Sequence, residues 1–112
     1  MPYIDTKLNF KPTDASITNI KSKLGEAITI FPGKTEQYLM LNFDTDCRMF
    51  FAGKDDFKMA MIEVKVFGSI DTCDEMTSAI TKIYAEELGI APDKIYVKYE
   101  ECYYWGMGGT NF

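Results

Sequence analysis

Histidine is missing from all 112 residues, so the usual side chain for moving protons near neutral pH is absent. Cysteine is scarce: Cys47, Cys73 and Cys102 are odd in number and widely spaced. Without histidine they form neither a disulfide framework nor a zinc site, and they read as reduced thiols that pack. Basic residues are few, twelve Lys and Arg against seventeen acids, for a net charge of -5. A chain with that balance lacks the basic face that nucleic acid or an anionic membrane needs. No apolar run approaches the length of a bilayer span, and the first thirty residues have neither the basic start nor the hydrophobic stretch of a signal peptide. The expected compartment is the cytoplasm. Nucleophile elbow, phosphate-binding loop, dinucleotide fingerprint, kinase signature and metal-ligand cluster are all absent as well.

What is present describes a globular protein of one domain, residues 1–112, with 46% hydrophobic and 26% charged residues. One Trp, seven Tyr and eight Phe are a large aromatic supply for this length. Residues 2–8 alternate as a strand, and Pro12-Thr13-Asp14 opens a helix with Ile17, Ile20, Leu24, Ala27, Ile28 and Phe31 at helical spacing. Pro32-Gly33 ends it. A nearly continuous apolar strand follows from Tyr38 to Phe43, then a shorter one over Arg48 to Phe51. Residues 59–67 alternate again, placing Ala60, Ile62, Val64 and Val66 on one face and Glu63 and Lys65 on the other. Thr72-x-x-Glu75 reads as a capping box for a second helix carrying Met76, Ala79, Ile80, Ile83, Tyr84 and Leu88 and ended by Gly89 and Pro92. Lys94 to Tyr99 closes as a strand.

The two halves share one order, so the expected fold is α+β: a tandem βαβ repeat forming a four-stranded sheet with both helices on one face. The other face would be bare. Apolar side chains on it would call for cover by further copies.

Three groups could carry chemistry. If Met1 is removed, Pro2 becomes a secondary amine held at the start of a strand, a base able to stand in for histidine; with Met1 attached its nitrogen is an amide without basicity. Lys34, on the loop before the apolar strand, could bind a carboxylate and disfavour protonation of a nearby amine. Tyr96 and Lys98, two apart on the last strand, share a face where a phenol and an ammonium could hold an aromatic acid. Beyond them, Tyr103 to Phe112 mixes aromatics with glycines, as a last short strand or a wrapping tail would. Each of these side chains also has a plainer use, as a solvated charge or a packing residue.

Pro2, Gly33-Lys34 with Tyr38 four residues on, Ala91-Pro92-Asp93-Lys94-Ile95-Tyr96, and the tail Trp105-Gly106-x-Gly108-Gly109-Thr110-Asn111-Phe112 together resemble the macrophage migration inhibitory factor family of the tautomerase superfamily, in order and over the full chain. The resemblance implies a homotrimer in which three sheets form a barrel with the helices outside, and an active site between neighbouring subunits. It implies Pro2 as catalytic base and Lys34 as the lysine that polarises or anchors the substrate. Val64 falls where the family presents a backbone amide to the substrate, and Tyr96 where a tyrosine of the adjacent subunit closes the pocket. Tyr38, Trp105, Met107 and Phe112 match pocket-lining or interface positions.

Two departures stand out: Lys98 replaces the asparagine of the mammalian cytokine two residues after the tyrosine, and Phe57-Lys58-Met59-Ala60-Met61 replaces its Cys-x-x-Cys motif. The second leaves a thiol oxidoreductase activity without residues to perform it.

The implied activity is keto–enol tautomerisation of a phenylpyruvate-like aryl 2-oxo acid, or dopachrome-type isomerisation, with no cofactor and no metal. The implied partners are further copies of the chain and the small acid. The rival reading is a cytokine-like or host-interaction protein with a protein receptor and vestigial catalysis, secreted without a signal peptide as some family members are.

Overall fold

The computed structural model describes residues 1–112. Strand β1 (Pro2–Leu8) buries Pro2, Ile4, Thr6 and Leu8 and turns Tyr3, Asp5 and Lys7 the other way. Helix α1 (Asp14–Ala27) begins where the Thr13 hydroxyl accepts the Ser16 N–H at 3.1 Å, satisfying one of the free donors of the first turn. It runs into a single 3-10 turn, Ile28–Ile30, and the chain then reverses through Gly33, whose φ of 79° lies in the left-handed region open to glycine. Strand β2 (Met40–Asp44) follows. The second half repeats this with β3 (Ala60–Phe67), α2 (Cys73–Leu88) and β4 (Ile95–Cys102), α2 ending on Gly89 at φ 69°. Two short strands, β5 (Gly106–Met107) and β6 (Thr110–Asn111), form a separate hairpin.

The sheet order is β2-β1-β3-β4, with β1 parallel to β2, antiparallel to β3, and β3 parallel to β4. Both βαβ units therefore meet along β1 and β3. Ile4, Leu8, Ile62, Val64, Val66 and Ile95 from the sheet pack with Ile20, Leu24, Met76, Ile80 and Tyr84 from the helices in one cluster of 17 buried residues. Thr6 is the polar side chain in that layer, and its hydroxyl pairs with the Tyr84 phenol. This removes the cost of an unpartnered buried hydroxyl.

Four sequence expectations need correction. Arg48 to Phe51 is no strand: no sheet edge lies alongside it, and only Phe51 makes a bridge, to Lys54. The apolar strand starts at Met40, because Glu36–Tyr38 forms a 3-10 turn. The Thr72 capping box does not form, since the Thr72 hydroxyl donates instead to the Ile30 carbonyl at 3.2 Å, tying α2 to the turn after α1. Finally, the bare sheet face is mixed rather than simply apolar, with Tyr3, Met40, Met61, Phe67 and Tyr96 at its ends and charges across its middle. It carries Asp5, Lys7, Asp44, Glu63, Lys65, Lys98 and Glu100, with ion pairs Lys7–Asp5 at 2.9 Å and Lys98–Glu100 at 3.3 Å. Burial alone would raise the Asp5 carboxyl, but the Asn42 amide and the Lys7 ammonium outweigh it and hold that carboxyl below its usual range. No helix is long and apolar enough to cross a membrane.

Candidate active site

The start of β1 lies at one end of the sheet, and a cleft of about 380 Å³ opens there. It is lined by Met1, Pro2, Tyr3, Tyr38, Met40, Trp105, Gly106 and Met107, and is mostly apolar. Register explains the first half of this wall, because Tyr3 pairs with Met40 at the edge between β1 and β2. Tyr38 arrives from the 3-10 turn just before β2, and the aromatic hairpin folds in from the opposite side. An apolar cleft with few polar groups is the usual form of a small-molecule site.

Lys34 brings the charge. Its Nζ donates to the Phe67 carbonyl at 2.9 Å and stands beside the terminal amine. That amine is held below its ordinary pKa, first by burial and then by the charge and hydrogen bond of Lys34. Both influences favour an uncharged nitrogen. In the structure the amine belongs to Met1, and Pro2 is buried one residue inward, so an amine on Pro2 would meet the same two influences.

The loop that aims Lys34 is built locally. Phe31 is buried as the anchor, the Lys34 N–H bonds to the Phe31 carbonyl at 3.1 Å across Pro32-Gly33, and the turn delivers the side chain toward the end of β3.

The backbone donor next to Pro2 is that of Phe67, not Val64. Val64 sits in the middle of β3 between Ile4 and Tyr99, its side chain wholly buried under the helices. Phe67 ends β3, and its N–H reaches the Met1 carbonyl at 3.1 Å. Taking Met1 away would release this N–H beside the Pro2 nitrogen. Sequence reasoning missed Phe67, and also Tyr3 and Met40. Alternation along β1 could have found Tyr3, whereas the other two depend on register.

One chain does not bring all the candidate residues together. Pro2, Lys34, Tyr38, Trp105 and Met107 gather at the cleft. Phe112 is outside the cleft lining, its ring centroid 5.8 Å from that of Phe67. Tyr96 pairs across β3 with Met61, while Pro2 pairs with Val66. Those rungs are five positions apart along β3, roughly 17 Å. Tyr96 rests instead on Phe51, ring centroids 5.1 Å apart, and is more than half exposed. Lys98 shares its exposed face and pairs with Glu100. Cys47, Cys73 and Cys102 are free and half-buried, away from the cleft lining, and burial pushes the Cys73 thiol up. No group of three metal-ligating side chains occurs.

Comparison with known proteins places this geometry in a family. The family model described as macrophage migration inhibitory factor matches residues 1–112. Among solved structures, MIF2 of Leishmania major is 27% identical with a TM-score of 0.91, covering 100% of this chain and 97% of that one. A homologue of the same factor from Prochlorococcus marinus is 26% identical with a TM-score of 0.81, covering 98% of each chain. The like protein from Entamoeba histolytica, at 24% identity and a TM-score of 0.81 over 99% of this chain and 98% of that one, shares the fold. No match was found among curated protein sequences.

Proposed function

Because the chain belongs to the macrophage migration inhibitory factor family, we propose that it is a tautomerase that interconverts the keto and enol forms of phenylpyruvate-like aryl 2-oxo acids, with Pro2 as general base after removal of Met1. The observation that carries this reading is the place of Pro2 in the lining of an apolar aromatic cleft with Lys34 beside it, where the Met1 amine that precedes Pro2 is held below its ordinary pKa by burial and by Lys34. A Pro2 amine there takes a proton from the enol hydroxyl and returns one to the carbon beside the carbonyl, or the reverse, so that one base serves both steps and the proton count balances. Lys34 holds the carboxylate or the developing enolate oxygen. The Phe67 N–H, released with Met1, offers a second donor to the same oxygens. Tyr38, Trp105 and Met107 receive the aryl group. Tyr96 from a neighbouring subunit closes the cleft, with Lys98 adding positive charge near it.

The test compares two forms of one protein. With Met1 removed, checked by intact mass, phenylpyruvate should tautomerise. With Met1 retained, or with Pro2→Gly, the rate should fall about a hundredfold or more, the loss that accompanies removal of a positioned general base. A Met1-retaining protein as fast as the processed one would overturn the terminal-amine mechanism and favour the receptor-binding reading.

A further inference from the structure

The stretch from Pro32 to Tyr38 brings Lys34 and Tyr38 to the cleft, yet none of its residues is buried. It hangs between Phe31, in the core, and Leu39, half-buried against it. Its backbone bonds, from the Lys34 N–H to the Phe31 carbonyl and from the Leu39 N–H to the Glu36 carbonyl, both 3.1 Å, bend the stretch without tying it to another element. Two of its side chains reach polar partners outside it. One is Lys34, at the Phe67 carbonyl, and the other is Glu36, whose carboxylate lies 3.7 Å from the Lys21 ammonium on α1.

Glu36 does more than form that exposed pair. Gly25, in the last turn of α1, is buried and has helical backbone, so no turn accounts for a residue that weakens a helix relative to alanine. Its reason lies across the gap: a Cβ on Gly25 would overlap the Glu36 carboxyl group. The missing side chain leaves a seat on α1 that the carboxyl group fills. Lys21 stands four residues before Gly25, on the same face of the helix, and so meets the carboxylate there.

We infer that Glu36 is a positioning residue for Lys34: seated on Gly25 and paired with Lys21, it docks the exposed loop on α1 and thereby sets where the Lys34 ammonium stands beside the N-terminal strand. The consequence for catalysis rests on the tautomerase reading, whereas the docking itself does not. Glu36 lies outside the cleft lining, two residues after Lys34, and acts only through that lysine.

Lys34 is the charged side chain that acts on the terminal amine, so the amine reports where the lysine stands. In the Met1-retaining protein, with the amine titrated by NMR, Glu36→Ala should raise the amine pKa by part of the rise that Lys34→Ala produces. In the Lys34→Ala background the same change should add nothing, because the lysine it positions is gone. Gly25→Ala separates docking from folding: alanine suits the helix, so far-UV circular dichroism should show α1 intact, while the new methyl displaces the flexible carboxyl group and raises the amine pKa as Glu36→Ala does. Glu36→Gln keeps the shape that fills the seat and should recover part of the effect. In the Met1-processed protein, KM for phenylpyruvate should rise about 1.5- to 5-fold in Glu36→Ala and in Gly25→Ala, the range for one exposed ion pair. An amine unmoved by Glu36→Ala or by Gly25→Ala, or moved equally with and without Lys34, overturns the inference. A shifted amine in a protein whose processed form does not turn over phenylpyruvate would defeat the tautomerase reading and leave the role of Glu36 standing.

Discussion

Lys34 acts on its neighbourhood in two separable ways, as a donor to oxygen and as a charge beside an amine. Lys34→Ala removes both. The donor role should cost about 1.5–3 kcal/mol in kcat/KM for phenylpyruvate, the range for a charged hydrogen bond. The charge role has a sign: Lys34 lowers the pKa of the Met1 amine, and the same charge beside a Pro2 amine would disfavour its protonation, so its loss should move the acid limb of the rate profile to higher pH. Burial, the larger cause, remains in the variant, so the limb should move only part of the way toward that of a free amine. A pH–rate profile of parent and variant checks this, and an unmoved acid limb would reduce Lys34 to a carboxylate anchor. Lys98→Ala should cost less than Lys34→Ala in the same assay, because Lys98 already pairs with Glu100 on an exposed face.

Among the elements, β1 and α2 are joined by the Thr6–Tyr84 hydroxyl pair inside an otherwise apolar layer, and β1 is the strand that carries Pro2. Tyr84→Phe strands the Thr6 hydroxyl and should destabilise the fold by about 1–3 kcal/mol; adding Thr6→Val should restore much of that, since two matched apolar groups leave nothing unpaired. Urea unfolding of the two variants decides the point. Burial raises the Tyr84 phenol well above its ordinary value, with the Thr6 bond acting weakly against it. The unfolded chain therefore loses this proton at lower pH than the folded one. Stability from the neutral buried phenol is complete below the ordinary tyrosine pKa of about 10 and declines as pH rises beyond it.

For the whole molecule, the separation of Pro2 from Tyr96 is the informative quantity. A cleft that uses both must draw them from two copies, which is the proposed homotrimer. The charges across the middle of the bare face alter the physical reason for assembly: its apolar side chains, Tyr3 and Met40 at one end and Met61 and Tyr96 at the other, are left with the strand edges to drive association. Tyr38, Tyr96 and Met107 are about half exposed in the single chain, and Met40 more so, all of which suits burial against a neighbour. Sedimentation at micromolar concentration should show a trimer. Mixing Pro2→Gly subunits with Tyr96→Ala subunits, dissociated and reassembled together, should recover a fraction of the activity that each lacks alone. No recovery from mixed trimers would place Tyr96 outside the shared site.

The sequence by itself determined the element order, the single helical face and the residues of the core. Period-two alternation in β1 and β3, helical spacing in α1 and α2, and the glycines at 33 and 89 are local signals that packing reinforced. The charge of the bare face was legible too, in Asp5 and Lys7, Glu63 and Lys65, Lys98 and Glu100 at alternate positions, although the repeat pattern suggested an apolar one. Tertiary structure decided what depends on residues far apart in the chain. The Thr72 hydroxyl had a local use as a cap and a distant one at Ile30, and the distant carbonyl won. Arg48 to Phe51 had the look of a strand but no edge to pair with. Phe67 became the junction of the site because register set it opposite Met1 and packing brought it Lys34 and Phe112, three partners that no spacing rule connects. Periodicity records which face a residue shows; only the closing of the sheet and the return of the hairpin determine which neighbours it meets there.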